Sequence, residues 1–232
     1  MYVGGVRVLT WNLKHGRAVP SAGCDLFDDF AAALARWEWG VALLQEVPPW
    51  WPQPLAQRLG AQQRLVLTSR NWLLAARRAV AVRWPDAIKS NGGSCNAILA
   101  RGGLEIADHR TRRLGLLPER RWVHAVRLRD GIWVGNTHTE ARPEQGLAAA
   151  AAVLDWSAED PAIFGGDFNV ARLALPGFEP GCRHGVDQVF VRGLEVQGCE
   201  VLDRGRLSDH APVVGEVGRR AVVGLSRRER TS

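Results

Sequence analysis

The sequence predicts an α/β protein in which two packed sheets are covered on the outside by helices. Three observations carry that prediction: a strand–helix–strand order that occurs twice, a series of short apolar runs punctuated by Pro and Gly, and the absence of any low-complexity linker. In the first unit, residues 6–13 alternate as a strand, residues from Asp25 onward place Leu26, Phe27, Phe30, Leu34 and Trp37 on one helical face, and residues 41–44 are a short apolar run. The order returns with a strand at 131–137, a helix from Pro143 to about Trp156, and a strand at 162–164. Further strands are expected at 79–82, 95–100, 122–128, 186–191, 194–202 and 212–217.

At 232 residues, 46% hydrophobic and 23% charged, the chain is long enough to bury one large core, and one domain over residues 1–218 is expected. No export signal and no run near the roughly 20 apolar residues of a membrane-spanning helix is visible, so a soluble, cytoplasmic monomer is expected. Cys24, Cys95, Cys182 and Cys199 have no zinc-site spacing and are read as buried free thiols. Net charge is +6, but residues 219–232 hold five arginines against Glu229, so most of the surplus belongs to a basic tail read as disordered and solvated. The chain has 28 arginines against two lysines, which we read as codon composition.

Each strand–helix–strand unit ends its strands in polar groups that a sheet core would not favour: Asn12 and Glu46 in the first, His138 and Asp167 in the second. Singly such residues read as turns; recurrence in both halves reads as one functional rim. Residues 162–170 deliver Gly165, Gly166, Asp167, Phe168 and Asn169, with Asp167 and Asn169 two apart and on one side of an extended chain. Ser208, Asp209 and His210 precede the last strand, and Asp187 heads another. A histidine with two carboxylates in reach is a candidate acid, base or phosphate contact. Carboxylates and amides suit a hard cation, and no nucleophile elbow is present, so metal-assisted hydrolysis with Mg²⁺ held by Glu46, Asn12 and Asp209 fits best.

These residues stand in TWNLKHGR (10–17), LLQE (43–46), CNAILAR (95–101), PERR (118–121), NTHTEA (136–141), GGDFN (165–169), GVDQVFV (185–191) and LSDHAPV (207–213). In this order they resemble the endonuclease/exonuclease/phosphatase superfamily, the deoxyribonuclease I-like fold, over roughly nine-tenths of the chain. The resemblance implies a four-layer α/β sandwich of two mainly antiparallel sheets flanked by helices, with its active site at one rim. It implies that Glu46 is the main metal ligand with Asn12 and Asp209 nearby, for Mg²⁺ or Mn²⁺ in its place. Asp167 would activate water, Asn169 would hold the phosphate, His210 would contact it, Asp187 would orient His210, and His138 would be the second histidine. Asn96 and Arg121 would be further phosphate contacts.

Departures bear on the substrate. Glu46 is followed by Val-Pro-Pro-Trp-Trp-Pro rather than the Glu-Thr-Lys of exonuclease III-like repair enzymes, and Tyr2 is the only tyrosine. The expectation is therefore a nuclease acting on DNA or RNA without a dedicated abasic-site role. A lipid or small-molecule phosphoesterase is the alternative, and a binding scaffold without activity a minor one. The prolines around Trp50 and Trp51 are expected to hold at least one indole near the rim, where it would stack on a base or enter a lipid interface.

Overall fold

The structure, a computed structural model, describes residues 5–69, 73–84, 93–117 and 119–219. The basic tail beyond Arg219 lies outside the described residues. Twelve strands and four helices are described: β1 (Val6–Asn12), α1 (Phe27–Arg36), β2 (Val41–Val47), α2 (Pro52–Leu59), β3 (Gln62–Leu67), α3 (Leu74–Arg83), β4 (Cys95–Ala100), β5 (Ile106–Gly115), β6 (Arg121–Leu128), β7 (Trp133–His138), α4 (Pro143–Ser157), β8 (Ala162–Asp167), β9 (Glu179–His184), β10 (Asp187–Arg192), β11 (Glu195–Val201) and β12 (Val213–Gly218). They form two six-stranded sheets, ordered β11-β12-β1-β2-β4-β3 and β5-β6-β7-β8-β10-β9.

Strand periodicity sorts the apolar residues into three layers. In β1, Val6 and Val8 face the space between the sheets, while Leu9 and Trp11 face the outer layer under α1 and α2. A third layer packs Val123, Ala125, Phe164 and Phe190 under α4. The order is therefore helices, sheet, sheet, helix, as expected of the four-layer sandwich. Each sheet has a parallel pair at its centre, β1 with β2 and β7 with β8, because each pair is joined by a helix crossing the outer face. That arrangement brings the C-terminal ends of four central strands to one rim.

Three expectations change. Residues 79–82 belong to α3, not to a strand: the run Leu-Ala-Ala-Arg-Arg-Ala-Val-Ala-Val-Arg is dominated by good helix formers, which outweigh two valines. Cys182 and Cys199 form a disulfide that joins β9 to β11, whereas Cys95 is a buried free thiol and Cys24 an exposed one. Trp51 is core: it packs against Phe27 and Phe30 with ring centroids 5.5 Å from each. Trp50 is half-buried against the same cluster with its indole nitrogen out of solvent. Among the described residues no helix is long and apolar enough to cross a membrane.

Candidate active site

The rim is assembled from strand ends. Asn12 ends β1 and Glu46 stands near the end of β2, where a bulge between Leu44 and Val47 turns the chain. His138 and Asp167 end β7 and β8 opposite one another, and Asp187 opens β10 opposite Asp167. Gly166 permits this approach: at φ 143° a Cβ there would stand 2.0 Å from the Thr137 carbonyl oxygen, so only glycine fits. The loop before β12 closes the set. Ser208 donates its hydroxyl to the Asn12 carbonyl at 2.6 Å and accepts the His210 backbone N–H at 3.1 Å, and the Trp11 indole donates to the His210 carbonyl at 2.9 Å.

Asp167 is the centre. Its Oδ2 accepts from the Asn12 amide at 2.9 Å and its Oδ1 from the Asn169 backbone N–H at 2.9 Å, which fixes the carboxylate in rotation although it is buried. His138 Nε2 lies 3.6 Å and His210 Nε2 3.8 Å from Oδ2. On the far side His210 Nδ1 lies 2.7 Å from Asp187 Oδ2.

The two histidines are driven in opposite directions. Burial would lower His210, but the hydrogen bond to Asp187 and the charges of Asp187, Asp167 and Asp209 outweigh it and raise the imidazole to about 9. His138 is lowered by burial and by the Arg121 guanidinium, which outweigh Asp167 and Glu46. Near neutrality one imidazole is therefore a cation and the other neutral. Burial pushes Asp187 up to about 6 against the pull of His210. A neutral His138 accepts the Asn169 amide at Nε2, 3.2 Å away; the same amide nitrogen donates to the Thr139 carbonyl at 2.9 Å. Both N–H groups of Asn169 are thus engaged within the protein, and contact with a phosphate requires the amide to leave His138.

Eleven residues line the cleft, about 370 Å³ in volume: the eight expected residues Asn12, Glu46, Arg121, His138, Asp167, Asn169, Asp209 and His210, together with Lys14, His15 and Arg17, for which the sequence suggested no role. His15 Nε2 lies 3.2 Å from Glu46 Oε2, and burial lowers this imidazole more than Glu46 raises it. Lys14 pairs with Asp209; burial alone would raise that carboxyl, but the ammonium holds it below the usual range. The signal available was composition, since Lys14 is one of only two lysines beside 28 arginines. Gly16 is obligatory, because a Cβ there would meet the Trp51 ring at 2.4 Å. Arg121 lines the cleft 3.3 Å from Glu119. Asn96 is fully buried on β4 and does not line it. A larger, mostly apolar cleft of about 1060 Å³ lies at the opposite end, around Leu104, Ile132 and Leu194, away from these groups.

The donors fit a divalent cation by their chemistry. Glu46 and Asp209 offer carboxylate oxygens, and Asn12 Oδ1, which accepts the Lys14 backbone N–H at 2.9 Å, keeps a second lone pair. Among the described residues the histidine and carboxylate group close enough together to share an ion is Asp167, Asp187 and His210, of which the short His210–Asp187 contact engages two as a hydrogen-bonded pair.

Comparison with curated proteins finds no match. Among solved structures, an endonuclease/exonuclease/phosphatase from Beutenbergia cavernae has a TM-score of 0.70 at 20% identity, covering 93% of this chain and 72% of that one. The human Nocturnin catalytic domain with bound sulfate has a TM-score of 0.66 at 18% identity, covering 92% and 94%. A Bacteroides thetaiotaomicron mannosyl-6-phosphatase has a TM-score of 0.65 at 16% identity, covering 91% and 99%. These likenesses concern the fold, whereas the family model reaches the site, matching residues 9–210 and so spanning the rim from Asn12 to His210. The chain belongs to the endonuclease/exonuclease/phosphatase family.

Proposed function

We propose that the protein is a divalent-cation-dependent phosphoesterase that hydrolyses phosphodiester bonds by in-line attack of water, with nucleic acid as substrate. The observation that supports it is the Asp167 carboxylate, held by the Asn12 amide and the Asn169 backbone N–H, with His138 Nε2 and His210 Nε2 3.6 and 3.8 Å from its Oδ2 in one polar cleft. Asp167 accepts the proton of the attacking water. Cationic His210 donates to the phosphate oxygen or leaving group, and Asp187 is its positioning residue. Glu46, Asn12 and Asp209 would hold Mg²⁺, or Mn²⁺ in its place, which when bound neutralises charge on the phosphate. Arg17, Arg121 and Lys14 add cationic side chains to the cleft, the sign a polyanion needs. Asn169 would hold the phosphate once its amide is released from His138, whereas Asn96, buried and outside the cleft, is given no contact with it.

The test is turnover of plasmid DNA, RNA, a chromogenic diester and a chromogenic monoester with Mg²⁺ or Mn²⁺ and with chelator. Diester cleavage that needs the cation supports the reading; full activity in chelator, or turnover of the monoester alone, refutes it. We propose further that residues 1–218 act as one domain, that the protein is monomeric, and that it works in the cytoplasm. A specific feature favours an oxidising compartment instead, the Cys182–Cys199 disulfide. Thiol alkylation of protein taken directly from cells decides between them.

A further inference from the structure

Large hydrophobic side chains standing in solvent are unevenly placed on the sandwich. Among the described residues there are nine, and all belong to the catalytic end. Leu73, Val82 and Trp84 lie on or beside α3, which connects β3 to β4 beyond the paired residues Leu67 and Cys95. Leu116 and Leu117 lie in the turn from β5 to β6, beyond the pair Gly115 and Arg121. The other four sit on the last residues of β3 and β11, in the loop after β1 and in the first turns of α4. The connections at the opposite end carry none among the described residues.

The two connections make one side of the rim. β3 and β5 are edge strands, and β3 packs against β5 and β6, so α3 and the β5–β6 turn rise from the same side of the sandwich. Leu117 is 72% exposed, Leu73 65% and Trp84 58%. Residues 73–84 also carry Arg77, Arg78 and Arg83 and no carboxylate, and β5 enters its turn through Arg113, while Arg112 is paired with Asp155 on α4 at 2.7 Å.

We propose that this wall docks the catalytic end of the protein on an anionic lipid surface. Four of the wall's five exposed side chains, Leu73, Val82, Leu116 and Leu117, are aliphatic and only Trp84 carries a ring, which decides between two anionic partners. Single-stranded nucleic acid is held by aromatic faces that stack on bases, and leucine and valine have none. The same side chains gain on entering the hydrocarbon boundary of a bilayer, while arginines beside them reach the headgroup phosphates. Docked so, the cleft faces the headgroup layer. The inference goes beyond the phosphodiesterase reading and does not depend on it.

Sedimentation of Glu46→Gln protein, which the mechanism makes inactive, with vesicles of phosphatidylcholine alone and of equimolar phosphatidylcholine and phosphatidylglycerol tests the docking while leaving lipid uncut. Binding to the anionic vesicles is expected, and Leu116→Ser/Leu117→Ser and Leu73→Ser/Trp84→Ser should each lower partition about tenfold or more, from the apolar area withdrawn. In otherwise wild-type protein the same exposed changes should leave turnover of a soluble chromogenic diester unaltered. Both variants keep the basic segment 219–232, so a loss cannot be ascribed to it. Absence of binding to anionic vesicles overturns the proposal, as does binding that both double variants leave unchanged. Loss of oligonucleotide binding by these variants with vesicle binding intact would assign the wall to nucleic acid instead.

Discussion

Replacing Asp187 by Asn removes one charge and leaves a group of the same shape against His210. The contact is 2.7 Å and the His210 side chain is 23% exposed. Burial would lower the imidazole, but the Asp187 hydrogen bond and charge are the largest influences that raise it, to about 9 against an ordinary 6.5. Without the carboxylate the imidazole falls back toward its ordinary range, where at about pH 7.5 only about a tenth of molecules keep the proton. Turnover of a soluble diester should therefore fall about tenfold at that pH and recover as the solution is acidified toward about pH 6. The basic limb of the rate profile should move down by about two units, and the titration of His210 followed by NMR should move with it. A bound cation shifts wild type and variant in the same direction, so the difference between them is the readout. A variant with an unmoved basic limb, or with a deficit equally deep at every pH, would refute this account of Asp187.

Glu46→Gln should lose several orders of magnitude in rate while remaining folded, and chelation of the wild type should do the same until Mg²⁺ or Mn²⁺ is returned. Glu46 sits at φ 49°, so Glu46→Gly should be equally inactive yet no less stable, with up to about 1 kcal/mol gained from relieved strain and read by calorimetry. Asn136 ties the sheets together: its amide donates to the Leu44 and Ala97 carbonyls at 3.0 Å each and accepts from Gln45 at 2.8 Å. Asn136→Ala should cost about 2–4 kcal/mol in urea unfolding and lower turnover, because Leu44 begins the bulge that aims Glu46. Replacing Cys182 and Cys199 by Ala opens a covalent loop with a sequence separation of 17 and should cost about 3 kcal/mol, with no change in turnover. An unchanged unfolding midpoint in either stability experiment would count against the assigned role.

How legible each part was in the sequence follows from its surroundings. Central strands must be apolar on both faces, and β1, β2, β7, β8 and β10 stood out for that reason. The strands that escaped notice, β3, β5 and β9, are all sheet edges: β5 reads Ile-Ala-Asp-His-Arg-Thr-Arg-Arg-Leu-Gly and β9 contains Pro180 and Gly181. The rim residues could be read because polar groups at the ends of apolar strands are conspicuous. Lys14 and His15 were hidden by following a strand as an ordinary polar turn would. The disulfide was hidden by register, since only the pairing of β11 with β12 and the placement of β9 beside it bring residues 17 apart into contact.

The backbone shows why the site needs so well packed a scaffold beneath it. Among the described residues seven non-glycine residues have positive φ, and five of them, Lys14, His15, Glu46, Asn169 and Ser208, lie in or beside the cleft. Each such conformation costs on the order of 1–3 kcal/mol and persists only where its neighbours leave no alternative. The neighbours here can be named: the Asn12 side chain accepts from the Lys14 backbone, the β2 bulge carries Glu46, the Asp167 carboxylate accepts from the Asn169 backbone, and the Ser208 hydroxyl is held on the Asn12 carbonyl. Asn12 takes part in three of these four arrangements, through Lys14, through Ser208 and through its amide on Asp167. Loss of its carboxamide should therefore relax the turn at Lys14 and free the Asp167 carboxylate together, a larger loss than its oxygen as a metal ligand would account for. Asn12→Ala should accordingly stay impaired at saturating Mg²⁺, whereas a role in metal binding alone predicts rescue by added cation.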